Sequence, residues 1–91
     1  MVFWYNHMNS VEYTLKALKQ LRKIHPDHGK QIRGKIDELV HMPDCLNVKA
    51  LTNHQYQYRL RVGHYRVFFD FDGVIQVVSI EEVKKRDERT Y

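Results

Sequence analysis

Residues 58–80 read YRLRVGHYRVFFDFDGVIQVVSI, and the fold turns on how this stretch pairs with itself. Three runs rich in β-branched and aromatic residues, 58–62, 65–71 and 74–80, are separated by Gly63-His64 and Asp72-Gly73. Both dipeptides are two-residue hairpin signals. Asp-Gly suits a type I′ turn, whose central residues both need positive φ, and a leading Gly suits type II′. Around Gly63-His64 this places Val62 opposite Tyr65, Leu60 opposite Val67 and Tyr58 opposite Phe69. Around Asp72-Gly73 it places Phe71 opposite Val74, Phe69 opposite Gln76 and Val67 opposite Val78.

Side chains alternate across a strand. One face therefore collects Tyr58, Leu60, Val62, Tyr65, Val67, Phe69, Phe71, Val74, Val78 and Ile80, with Gln76 as the exception, and is expected to be the core. The other face collects Arg59, Arg61, Arg66, Phe68, Asp70, Ile75, Val77 and Ser79. Arg61 falls directly across from Arg66, and like charges so placed repel. Asp70 is a candidate internal counter-ion but sits toward the far end of its run. One explanation of these arginines is a plain solvated sheet face. The other is a phosphate-binding face, since a guanidinium offers a planar fork of donors that matches phosphate. Phe68 among them offers a stacking surface, and arginines interleaved with aromatics on an open sheet suit single-stranded RNA.

Upstream, the period changes. VFWY at 2–5 reads as a short strand. Asn9 with Glu12 three residues later resembles a capping box, and Val11, Leu15, Leu18 and Leu21 recur at helical spacing, predicting a helix to about Ile24. HPDHG breaks it, Asp27 can cap a second helix with a stripe of Ile32, Ile36, Leu39 and Val40, and Pro43 ends that helix. VKALT at 48–52 is a further short strand; the tail from Glu81 is a last helical turn or an extended end. The order β-α-α-β-β-β-β predicts one α+β domain over residues 1–91, a two-helix hairpin packed on one face of a small antiparallel-rich sheet.

The composition is that of a folded domain: 43% hydrophobic, with six Tyr, four Phe and one Trp. Fifteen Lys and Arg against eleven Asp and Glu give a formal charge of +4, compatible with a polyanionic partner. Cys45 is the only cysteine, so an intrachain disulfide is excluded and a reducing cytoplasm is expected. The N-terminus does not read as a signal peptide, and no apolar run is long enough to span a membrane. The six histidines include no H-x-x-x-H pair on one helical turn and there is no second cysteine, so neither a metal site nor any other cofactor is expected. His64, in the turn between Arg61 and Arg66, is an accessory proton-transfer candidate.

The segment RLRVGHYRV (59–67), with the element order, MPDC at 42–45 and the basic tail ending in Tyr91, resembles the RelE/ParE superfamily of toxins from type II toxin–antitoxin pairs. The likeness spans essentially the whole chain. It implies a RelE-like fold. For the RelE branch it implies a metal-independent, ribosome-dependent endoribonuclease that cleaves mRNA through attack of a 2′-OH on its own 3′-phosphate. For the ParE branch it implies a DNA gyrase inhibitor without nuclease activity, and a third reading is an inactive relic that binds an antitoxin as co-repressor. The implied partners are a cognate antitoxin protein, mRNA on the ribosome, and operator DNA only through the antitoxin complex, with no membrane. The RelE pattern maps onto Arg59 and Arg61 before the turn, Arg66 after it, and Arg86 and Tyr91 in the tail, with Lys85 competing for the place of Arg86. Arg59 and Arg61 stand where the best-known pattern has lysines. A lysine can lose a proton and an arginine effectively cannot, so the base lies elsewhere or is supplied by the ribosome; the resemblance points to Tyr91 as base or stacking residue, with His64 as competitor.

Overall fold

The computed structural model describes residues 8–86. The expected strand at 2–5 and the tail position Tyr91 lie outside those residues. The elements are β1 (Ser10–Tyr13), α1 (Leu15–Arg22), α2 (Pro26–Asp37) continued by a 3₁₀ turn (Glu38–His41), β2 (Val48–Ala50), β3 (Tyr58–Val62), β4 (Tyr65–Asp72) and β5 (Val77–Lys85). They build one sheet in the order β1-β5-β4-β3-β2. All neighbours are antiparallel except β1, which runs parallel to β5. The order β-α-α-β-β-β-β holds.

The N-terminal boundary differs from the sequence reading. Residues 10–13 form a strand, because their backbone groups pair with β5 from Val77 to Ile80. Asn9 is no helix cap: its side-chain amide donates to the carbonyls of Leu39, Val40 and Met42, tying the chain start to the end of the second helix. The cap of α1 is Thr14, whose hydroxyl accepts the Ala17 N–H at 3.1 Å and also donates to the Glu81 carbonyl. Leu21 of the expected stripe is buried, but Leu15 is 63% exposed and Ala17 faces the core instead. In α2 the cap is His25 rather than Asp27: Pro26 occupies the first turn, where a missing N–H costs nothing, and His25 Nδ1 accepts from Asp27 N–H.

The core lies between the helices and one face of the sheet. Ile32, Ile36 and Leu39 meet Leu60, Val67, Phe69, Val78 and Ile80, all at 3% exposure or less. Each such side chain contributes about 1.5–3 kcal/mol of burial. The β3–β4 register is the expected one throughout, with Arg61 opposite Arg66. The β4–β5 register is not. Phe71 faces Val78 and Asp72 faces Val77, so a four-residue loop replaces the two-residue Asp72-Gly73 turn. Val74, expected in the core, is 93% exposed in that loop. Asp72 Oδ1 accepts the N–H groups of Val74 and Ile75, a side-chain substitute for the tight turn's backbone bond. The slip is even, so Val78 and Ile80 keep their inward direction.

A second irregularity has the larger consequence. Phe69 pairs with Ile80 but Phe68 pairs with Glu82, so Glu81 is an extra residue on β5. This bulge inverts the alternation beyond it. Val83 turns into the core at 4% exposure, and Glu82 and Lys84 fall on the same face as Arg66 and Phe68. β1 ends before this segment, and α1 side chains occupy that flank: Gln20 Oε1 accepts the Val83 N–H at 2.7 Å.

Candidate phosphate-binding site

The face away from the helices is built in rows. One row is Lys49, Arg59, Phe68 and Glu82, carried by β2, β3, β4 and β5; the next is Arg61, Arg66 and Lys84. Beyond them Arg86, two residues past Lys84, returns to the same side. Its backbone N–H donates to the His64 carbonyl at 2.6 Å, fastening the strand end to the Gly63 turn. That turn is tight because Gly63 adopts φ 55, open to glycine and costly for other residues. The result is a concavity of about 200 Å3 lined by Arg59, Arg61, Gly63, Tyr65, Arg66 and Arg86.

Four of the five residues carried over from the resemblance thus meet at one place, and the fifth, Tyr91, lies outside the described residues. The bulge puts Arg86 and Lys85 on opposite sides of the strand. Lys85 pairs with Tyr65 and points with Val83 toward the helical side, away from the arginines. His64 is exposed at the turn. Lys84, directly across from Arg66, was not singled out from the sequence, although the spacing Ile80…Val83 breaks a period of two and so signals the bulge.

Electrostatically the site is one-sided. Arg59 is half-buried, and its Nε is enclosed without a hydrogen-bond partner. A buried guanidinium N–H without an acceptor is costly. Glu82 is the nearby carboxylate, and it is shared by Lys84 and Lys16 at 3.6 Å each. Asp70 does not serve as counter-ion: its Oδ1 accepts the Gln57 N–H, while Gln57 Oε1 accepts the Phe71 N–H. Phe68 is not the open stacking surface expected. It is 7% exposed because the loop after β2 lays His54 and Tyr56 over it.

Cys45 is not poised as a nucleophile. Burial, then the carboxylates of Asp44 and Glu38, push its thiol pKa up, and Sγ donates to the Glu38 carbonyl. Among the described residues no group of three or more His, Cys, Asp or Glu side chains forms a metal cage, and no helix is long and apolar enough to cross a membrane. A larger hollow of about 620 Å3 on the helical hairpin is also basic, with Arg22, Lys30 and Arg33 on its walls, but Asp37 stands among them.

Residues 11–89 match the model of the family described as ParE toxin of type II toxin–antitoxin system, parDE. No curated protein matches the chain. Among solved structures, the archaeal RelE–RelB complex from Pyrococcus horikoshii is similar in fold, with 23% identity, a TM-score of 0.74, and 89% of this chain and 98% of that one covered. The toxin–antitoxin complex RelBE2 from Mycobacterium tuberculosis gives 23% and 0.74, covering 87% of this chain and 92% of that one. The isolated E. coli RelE toxin gives 21% and 0.73, covering 88% and 86%.

Proposed function

The chain belongs to the family of ParE toxins of type II toxin–antitoxin systems, and on that premise we propose that it is an endoribonuclease toxin that cleaves mRNA on the ribosome and so stops translation. The observation that carries this reading is the convergence of Arg59, Arg61, Arg66 and Arg86 on one concavity of about 200 Å3. Two arginines in direct cross-strand register repel unless an anion lies between them. A phosphate in transit is such an anion, and the phosphoryl group gains negative charge as the nucleophile adds.

The reaction proposed is an internal transesterification. The ribose 2′-oxygen bonds to the adjacent 3′-phosphorus, the bond from phosphorus to the 5′-oxygen breaks, and a 2′,3′-cyclic phosphate and a free 5′-OH result. The 2′-OH proton passes to a base, assigned to Tyr91, and a proton is returned to the leaving oxygen. Arg59, Arg61 and Arg66 hold the non-bridging oxygens and stabilise the added charge, usually the largest single contribution to such catalysis. Arg86 neutralises the phosphate or the leaving group. No step requires a metal. The partner proposed is a cognate antitoxin, supported by the family and by the RelE–RelB complexes among similar folds. Operator DNA is reached only through that complex.

Gyrase inhibition is the second reading, and the specific observation behind it is that the matching family model is ParE. The two separate in purified assays. On the nuclease reading, addition of the toxin to a translating extract yields mRNA fragments bearing 5′-OH ends, and DNA supercoiling by gyrase continues. Blocked supercoiling with intact mRNA gives the protein to the gyrase reading instead.

A further inference from the structure

On the cationic face the ring of Phe68 is covered, and the exposed ring lying on it is that of His54. Phe68 stands directly across from Arg59. His54 lies over it with ring centroids 5.1 Å apart and planes at 15°, a stacked pair. Tyr56, itself buried, supports both rings at 5.9 Å. His54 is exposed, yet its ring is held in place: Nδ1 accepts the Tyr56 N–H at 3.1 Å. With Nδ1 as acceptor, neutral imidazole carries its proton on Nε2, at the opposite edge of the ring.

These features make a platform. One ring face is spent on Phe68, and the ring is exposed and already oriented. The platform adjoins the arginine concavity through Arg59, which lines that hollow and pairs with Phe68. The Arg59–Phe68 row is two residues along the strands from the Arg61–Arg66 row, a spacing of about 6.8 Å. A single-stranded nucleotide whose phosphate rests between the arginines has its base within reach of that row.

We propose that His54 is a nucleobase subsite, stacking the base of the nucleotide whose phosphate the arginines hold, with Nε2–H donating to an acceptor on the base edge. The proposal rests on the endoribonuclease reading and adds to it where one base is gripped. Stacking tolerates any base, because each has a π-face. The Nε2–H donor then favours bases with an acceptor at that edge.

The test is equilibrium binding of a short RNA made uncleavable by 2′-deoxy substitution, carrying 2-aminopurine at the central position. Its fluorescence falls when the base stacks. A second oligonucleotide, abasic at that position and fluorescein-labelled, is followed by anisotropy. Wild-type protein is expected to bind both and to quench the 2-aminopurine. His54→Ala is expected to weaken binding of the base-bearing RNA roughly 5- to 150-fold, the scale of one lost stack. It should leave the abasic RNA unaffected, and His54→Phe should restore both quenching and affinity. Arg61→Ala should weaken both RNAs. Unchanged affinity and quenching in His54→Ala, or equal losses on the two RNAs, overturn the subsite while the arginine site stands. Wild-type protein that binds neither RNA overturns the subsite, and the endoribonuclease reading is then decided separately by the 5′-OH ends in the translating extract.

Discussion

The two hairpins that share β4 close in different ways, one through a two-residue turn and the other through a four-residue loop. Around Gly63 every cross-strand pair follows from the sequence; around Asp72 the partners are displaced by four residues on β5. The difference lies in what closes each turn. Gly63 supplies the positive φ of its tight turn. At the other end Gly73 does not; Gln76 takes φ 58, and Asp72 bonds two N–H groups of the loop with its own side chain. An Asp-Gly pair thus marks where a strand turns without fixing how many residues the turn takes. The chemistry divides in the same way. At the Gly63 end the outer face is cationic, whereas the Asp72 end is a broader hollow of about 620 Å3 lined by groups such as Gln55, Gln57, Asp70 and Ser79.

The most severe way to break the comparison is to remove what both hairpins share. Phe69 is fully buried and pairs with Tyr58 on one side and Ile80 on the other. Its ring also stacks on that of Tyr58 at 5.4 Å. Phe69→Ala should cost about 3–5 kcal/mol, read as a large fall in the denaturant midpoint. A loss below about 1 kcal/mol would mean that the core closes without it.

The next substitutions separate function from stability at the cationic end. Arg61→Ala should lower single-turnover cleavage of ribosome-bound mRNA roughly 10²-fold or more. The fold should be unharmed, or stabilised by up to about 1 kcal/mol, because a cross-strand repulsion is removed. Thermal melts of the purified variant decide the second half; a marked drop in melting temperature would make Arg61 structural. Tyr91→Phe should also cost roughly 10²-fold, the scale of a lost acid–base group, and His64→Ala far less. The reverse ranking would move the base to His64 and leave the arginine site in place.

The bulge sets a smaller and more pointed contrast. Arg86→Ala should lower cleavage roughly 10- to 100-fold, the scale of one charge-assisted hydrogen bond. Lys85→Ala, on the opposite side of the strand, should stay within about twofold on the same scale. Equal losses would show that the tail acts through net charge and not through the alternation that Glu81 imposes.

What the sequence made legible follows the reach of each signal. The cationic face was readable because alternation and a glycine turn are local, and both act within residues 58–67. The strand at Ser10–Tyr13 was not, since its pairing partner is β5, nearly seventy residues away, and Asn9 with Glu12 imitates a helix start. Tertiary pairing overrode a local pattern there. Lys84 and the fate of Phe68 were missed for a related reason. One depends on the bulge, and the other on a loop folding back to put His54 on the ring. The preference for Arg86 over Lys85 could have been drawn from Val83, an apolar residue out of step with Ile80.

The mildest test returns to the two turns themselves. If positive φ is what fixes the first hairpin, adding a Cβ there must be costly even where there is room for it. At Gly63 a Cβ would meet no atom within 4 Å, but the residue sits at φ 55. Gly63→Ala should therefore destabilise by about 1–2 kcal/mol through backbone strain alone. At Gly73 a Cβ would touch only the Phe71 ring at 3.5 Å, ordinary contact distance, and the backbone needs no positive φ. Gly73→Ala should be neutral, or stabilising by about 0.4–1 kcal/mol, because alanine leaves the unfolded chain less freedom to lose. Urea midpoints of the two variants measure the difference. Equal destabilisation at both positions would mean that the second hairpin also relies on its glycine, so that the contrast between the turns is one of loop length and not of backbone conformation.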